Sequence, residues 1–157
     1  TVYACFLALA AYQDLGLELP DPEGILQCID SLRTDDGAYT NQHDMPLGLT
    51  SPTAAAVTIL RHFDRPVLRE VGLWLLARCR EDGGFTAAPI TPMLSTATAL
   101  HALAVLGIDL EPIKEPCLDF IDTLWTTRGG FLGSWEDEML DVEYTYYGLL
   151  ALGHLAV

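Results

Sequence analysis

The chain has 157 residues, half of them hydrophobic, with 22 Asp and Glu against 8 Lys and Arg and a formal net charge of −14. A field of that sign repels phosphate and excludes nucleic acid and anionic membrane surfaces as expected partners. The length is that of one domain with a sizeable core, expected to span 1–157. No apolar stretch reaches the roughly 18 uninterrupted residues of a spanning helix, and the N-terminus carries no basic leader. Cys5, Cys28, Cys79 and Cys117 sit singly in apolar runs without CxxC spacing. The expectation is an acidic cytoplasmic protein with reduced core thiols, without disulfides or a cysteine-rich metal site.

In chain order the first element is TVYACFLALAAYQDLG, apolar on nearly every side. Ile25, Leu26, Cys28, Ile29 and Leu32 then recur at helical spacing, with Asp30 and Arg33 on the outer face, and lead to DDGAY at Asp35–Tyr39. An apolar SPTAAAVTILRHF opens at Ser51. The alternation repeats twice. Val71, Trp74, Leu75 and Cys79 precede EDGGF (Glu81–Phe85) and STATALHALAVLG from Ser95; Leu118, Phe120, Ile121, Leu124 and Trp125 precede TRGGF (Thr127–Phe131) and DVEYTYYGLLALG from Asp141. Spacings of three and four predict helices with one apolar stripe, whereas the all-round apolar segments predict helices buried on every side. Glycine after each striped helix reads as its left-handed stop. Pro20, Pro22, Pro66, Pro112 and Pro116 mark the turns from each buried helix to the next striped one.

Asp36, Asp82 and Arg128, each just before the first glycine of its turn, stand 46 residues apart; Thr1, Thr53, Thr98 and Thr145 follow at intervals of 52, 45 and 47. Two helices per unit at this period fit an open solenoid or a closed ring of hairpins, here with four inner and three outer helices. The glycine turns lie near 36–39, 82–85 and 128–131.

The combination of apolar helix, Asp, Gly, Gly and aromatic, followed by Ser or Thr and a second apolar helix ending in Leu-Gly, resembles the prenyltransferase and squalene-cyclase repeat family. LLARCREDGGF, LSTATALHALAVLG and DVEYTYYGLLALG carry the resemblance most closely, and DDGAY least. It implies an all-α fold, an (α/α)6 toroid of helical hairpins, of which this chain supplies about half because six hairpins of this period need roughly twice the length. Thr1 to Leu9 and Thr145 to Leu152 look like buried inner helices rather than the polar caps of terminal repeats. The expected partner is therefore a second copy (a homodimer) or a missing second half that completes the ring, and the expected ligand is an isoprenoid or other apolar chain in the central cavity.

The protein prenyltransferase β subunits of that family hold zinc with an Asp and a Cys two residues apart and a later His, and grip a lipid diphosphate with Arg and Lys. On SWEDEMLDVEYTYYG, Asp141 falls on the Asp position and Glu143 on the Cys position, with Trp135 and Glu138 where the basic pair would be; the alternative match, to the motif carrying the His ligand, puts Tyr144 on the His. Zinc is thus the cofactor that the resemblance implies, with its Cys and His ligands unmatched here, and a diphosphate lacks its positive donors. The cyclase branch uses a DxDD acid, which neither Asp35-Asp36 nor Glu136 to Glu138 reproduces; Asp35 and Asp36 read as solvated turn residues.

Asp141 reads as the N-cap of the last inner helix with Glu143 in its first turn; the alternative makes the two a pair of catalytic cavity carboxylates. Tyr3, His101, Trp135, Tyr144 and Tyr147 are the candidate substrate-binding residues, lining the cavity; the alternative is that they fill the centre of the ring. His101 also reads as a hydrogen-bonded core histidine. His62 and His154 close inner helices, where an imidazolium complements the dipole, and His43 faces the ring mouth. No pair has HxxxH spacing. Three functions fit: a prenyltransferase-type transferase or terpene cyclase, a noncatalytic toroid that binds an apolar ligand, and a protein-interaction scaffold.

Overall fold

The computed structural model describes residues 1–85 and 92–156. Its helices alternate between two layers. The inner layer is α1 (Val2–Asp14), α3 (Thr50–His62), α5 (Pro92–Val105) and α7 (Val142–Leu155), each packed on the next, and the outer layer is α2 (Pro22–Ser31), α4 (Arg69–Leu76) and α6 (Glu111–Thr123). Among the described residues, side-chain caps start three of them: Thr1 accepts from Ala4 N–H, Asp21 from Gly24 N–H with Pro22 in the first turn, and Asp141 from Glu143 N–H. The outer helices carry one apolar stripe, whereas α5 is buried at every position from Met93 to Leu100 because α3 and α7 flank it. At the two ends of the array the inner helices keep an open face, with Leu7 on α1 and Val142, Tyr146 and Leu149 on α7 exposed. The all-α, two-layer reading of the sequence is what the structure contains.

Each outer helix ends before its glycine turn, which corrects the reading of those glycines as helix stops. Chain reversal is made instead by a very short antiparallel hairpin: Arg33 bridges Tyr39, Cys79 bridges Phe85, and β1 (Trp125–Thr126) pairs with β2 (Gly130–Phe131). Gly37, Gly83 and Gly129 sit at the three tips with φ of +81°, +82° and +87°, where a side chain is strained. The amides of these glycines donate to Thr34, Arg80 and Thr126 carbonyls at 2.9, 3.0 and 3.0 Å, so the three tips are the same structure repeated. Left-handed stops do occur, after inner helices, at Gly16 and Gly107.

An inner-helix threonine clamps each hairpin. The amides of Tyr39, Phe85 and Phe131 donate to Thr53, Thr96 and Thr145 hydroxyls at 3.0, 3.0 and 3.3 Å. The repeat's third threonine is therefore Thr96 and not Thr98, whose hydroxyl turns back to Leu94 of its own helix. Pro116, read as a turn residue, lies inside α6; its carbonyl faces Gly83, where the two backbones touch.

Candidate functional site

Residues four, three and four apart fall on one face of a helix. On α7 that spacing joins Glu143, Tyr147, Leu150 and His154. Two other inner helices meet this stripe. From α1, the Tyr3 hydroxyl lies 3.0 Å from the Tyr147 hydroxyl and donates to Glu143 Oε1 at 3.4 Å, linking the first inner helix to the last. With Glu143 as the terminal acceptor, Tyr147 is the donor to Tyr3, and the three form a chain of hydrogen bonds running toward the carboxylate. Burial raises the Tyr3 pKa above the ordinary tyrosine value, opposed by the hydrogen bond with Tyr147 and reinforced by the Glu143 charge. Burial, and then the hydrogen bond to Tyr3, raise Tyr147 further. Both phenols therefore stay protonated at neutral pH, able to donate and accept hydrogen bonds but not to act as bases.

Two turns farther along the stripe, His154 Nε2 lies 2.9 Å from His101 Nδ1 of α5, with the rings tilted at 51°. Burial lowers both pKa values, for His101 with help from the charge His154 would carry. His154 is thus neutral at pH 7 and does not complement the helix dipole as an imidazolium.

The remaining candidates are elsewhere. Asp141 caps α7, its Oδ1 accepting from Glu143 N–H at 2.6 Å. Tyr144 packs its ring over Gly133, where there is no room for a Cβ. Trp135 is half exposed and sits on the outer layer, its indole N–H donating to Thr123 Oγ1 at 2.9 Å and its ring edge-on to Phe120 of α6. His43 is exposed in the loop before α3. The zinc implied by the resemblance does not fit this donor set. Asp141 is engaged by the helix amide, Glu143 by Tyr3, and no group of three or more His, Cys, Asp or Glu able to hold a metal occurs among the described residues.

Two features escape sequence reading because both depend on packing between repeats. Asp36 is not a solvated turn residue. Its carboxylate accepts from Thr34 Oγ1 at 2.6 Å, the Trp74 indole at 2.9 Å and Gly48 N–H at 3.2 Å. Burial works against its charge, but these bonds, with one from Ala38 N–H, outweigh it and hold the carboxyl below the usual range. Asp35 beside it is exposed.

The second feature is an apolar groove of about 580 Å³ between α6, the third hairpin and α7, walled by Leu118, Ile121, Trp125, Phe131, Leu149 and Leu152. One repeat earlier the matching surface is covered by α6 itself: Gly83 lies against the Pro116 and Cys117 backbone, and Gly84 against the Phe120 ring. At the third hairpin nothing lies within 4 Å of a Cβ built on Gly129, and Trp125 and Leu149 are 49 % and 60 % exposed.

A family described as the prenyltransferase alpha-alpha toroid domain matches residues 1–91 and again residues 53–156. The chain belongs to that family. The two matches overlap and are displaced by about one structural repeat, as expected when the same pair of hairpins can be laid on the chain in two registers. Membership accounts for the alternation of inner and outer helices. No curated protein matches the chain. No helix among the described residues is long and apolar enough to cross a membrane.

Proposed function

We propose that this chain forms part of a toroid that binds an isoprenoid or similar apolar chain along the inner stripe of α7, with the ligand's polar end at Tyr3, Tyr147 and Glu143. The observation that carries the reading is the Tyr3 hydroxyl set between Tyr147 and Glu143. Neutral phenols next to a carboxylate favour a hydroxyl or cationic end group and oppose a diphosphate, as does the net charge of −14. Leu150 and the neutral His101–His154 pair extend the stripe with surface suited to hydrocarbon. In this reading the chain's own residues bind and orient; Tyr147 and Tyr3 position the end group, and Glu143 fixes the direction of their protons.

Calorimetric titration with an isoprenoid alcohol and with the matching diphosphate tests the reading. The alcohol is expected to bind more tightly, and Tyr3→Phe is expected to weaken it roughly fivefold, the equivalent of one hydrogen bond of about 1 kcal/mol. Tighter binding of the diphosphate would refute it.

The open groove favours a second reading, a scaffold whose α6–α7 face takes another helical hairpin, from a second copy or from a further part of the ring. Light scattering tests this reading. It expects an assembly larger than one chain that Leu149→Asp dissolves without loss of helical signal; a monomer at all concentrations would remove the second copy.

A further inference from the structure

The four cysteines, well separated in sequence, fall into two couples: Cys79 of the second hairpin and Cys117 of α6 meet at one carbonyl oxygen, and Cys5 of α1 is influenced electrostatically by Cys28 of α2. All four are free thiols. We propose that Cys79 and Cys117 are a reversible disulfide site that staples the second hairpin to the outer helix of the following repeat.

The geometry rests on one carbonyl oxygen. Cys117 Sγ donates to Gly83 O at 3.2 Å, and Cys79 Sγ lies 4.0 Å from the same oxygen, so both sulfurs converge on the tip of one hairpin. The backbone cannot easily separate them. Cys79 is held by its bridge to Phe85, and Gly83 is pressed against the α6 backbone at Pro116 and Cys117. Access differs between the two: Cys79 is half-buried and Cys117 fully buried. The neighbouring Cys117 thiol lowers the Cys79 pKa against the opposing effect of burial, whereas the Cys79 neighbour and burial raise Cys117. Cys79 is the accessible nucleophile, and Cys117 is the resolving thiol behind it. In the other couple burial raises Cys5, which slows the opening attack.

The co-reactant is a low-molecular-weight disulfide of the glutathione class. Cys79 releases its proton to solvent, and its thiolate attacks one sulfur of that disulfide. The S–S bond breaks, one small thiolate leaves and is protonated, and a mixed disulfide remains on Cys79. Cys117 then gives up its proton and attacks the Cys79 sulfur, expelling the second small thiol. Two protein thiols are oxidised, and one small disulfide is reduced to two thiols. The new bond joins positions 38 apart in the chain. By closing a loop of that size it is expected to raise the thermal midpoint by roughly 10 °C.

The test incubates the full chain with oxidised glutathione, quenches it with an alkylating agent and maps the peptides by mass spectrometry. The expected result is a Cys79–Cys117 cross-linked peptide and a raised thermal midpoint, both reversed by dithiothreitol. Cys117→Ser is expected to stop at a glutathione adduct on Cys79. Cys79→Ser, at a half-buried position that tolerates the change if Cys117→Ser does not fold, is expected to leave Cys117 unmodified and the midpoint unmoved by oxidant. Alkylation of both Cys79 and Cys117 in oxidant-treated protein that is folded by circular dichroism overturns the proposal, as does a Cys5–Cys28 bridge formed while Cys79 and Cys117 stay free.

Discussion

Gly83→Ala separates two costs that glycine substitutions usually mix. At Gly37, Gly83 and Gly129 the backbone is left-handed to nearly the same degree, so adding a Cβ costs about 1–2 kcal/mol at each for conformation alone. At Gly37 and Gly129 nothing lies within 4 Å of the new atom. At Gly83 it would stand 1.9 Å from Pro116 O and 2.6 Å from Cys117 N, far inside the ~3.5 Å of van der Waals contact. Both obstacles are backbone and cannot rotate away. The α6 helix must retreat, loosening the core that it closes with Cys117, Phe120 and Ile121, a packing error of about 1–3 kcal/mol or more. Gly83→Ala is therefore expected to cost about 2–5 kcal/mol, and Gly37→Ala and Gly129→Ala about 1–2 kcal/mol each. Against a typical stability of about 5–15 kcal/mol, the first is a severe loss and the others mild ones. Urea unfolding followed by circular dichroism gives the comparison from the shift in midpoint at constant m-value. Equal losses at all three positions would refute the claim that α6 touches the second hairpin tip. A loss at Gly129 as large as that at Gly83 would show that the third tip is covered.

Three further outcomes follow from the same contacts. Asp36→Asn is expected to destabilise by about 2–3 kcal/mol, because an amide presents donors to the Trp74 and Gly48 N–H groups; unfolding at pH 7 checks this, and a change below half a kilocalorie would contradict it. Thr96→Val strands the buried Phe85 amide at a cost of about 1–3 kcal/mol, whereas Thr98→Val removes only a bond within its own helix and is expected to cost less; the reverse order in chemical denaturation would restore Thr98 as the repeat's clamp. The folded-state pKa values of His101 and His154 lie below 6.5, so below that pH the unfolded chain takes up protons first. Stability is expected to be full above pH 6.5 and to fall from there toward pH 5, with a flatter profile for His154→Gln. Identical slopes for the two proteins would remove the pair as the cause.

Much of the architecture was legible because it is written in periodicities. The 46-residue recurrence of the glycine turns, the charges concentrated on one face of the outer helices and the apolar run of STATALHALAVLG each reflect a local constraint that a single repeat must satisfy. The hairpins were not legible, since strands of two residues leave no alternation to read. Thr96 was missed because Ser95, Thr96 and Thr98 crowd one helix, and only the position of Phe85 selects among them. Asp36 and the cysteine couples were missed for one reason: their partners Trp74, Cys28 and Cys117 come from other helices, and spacing within a segment carries no trace of them. Among the candidate site residues, the spacing of Glu143 and Tyr147 on one helix already put them on a common face, while the approach of Tyr3 and His101 to that face is a property of the folded array.

An apolar ligand seated on the inner stripe of α7, as proposed, would touch Tyr3, Tyr147 and Leu150 together. An NMR titration of the chain with an isoprenoid alcohol, following the side-chain signals of Tyr3, Tyr147, Leu150, Trp125 and Trp135, tests it most directly. Tyr3, Tyr147 and Leu150 are expected to shift together on one binding curve while Trp125 and Trp135 stay in place. Shifts confined to Trp125 would put the ligand in the α6–α7 groove, and unmoved tyrosine signals at saturating alcohol would contradict the claim.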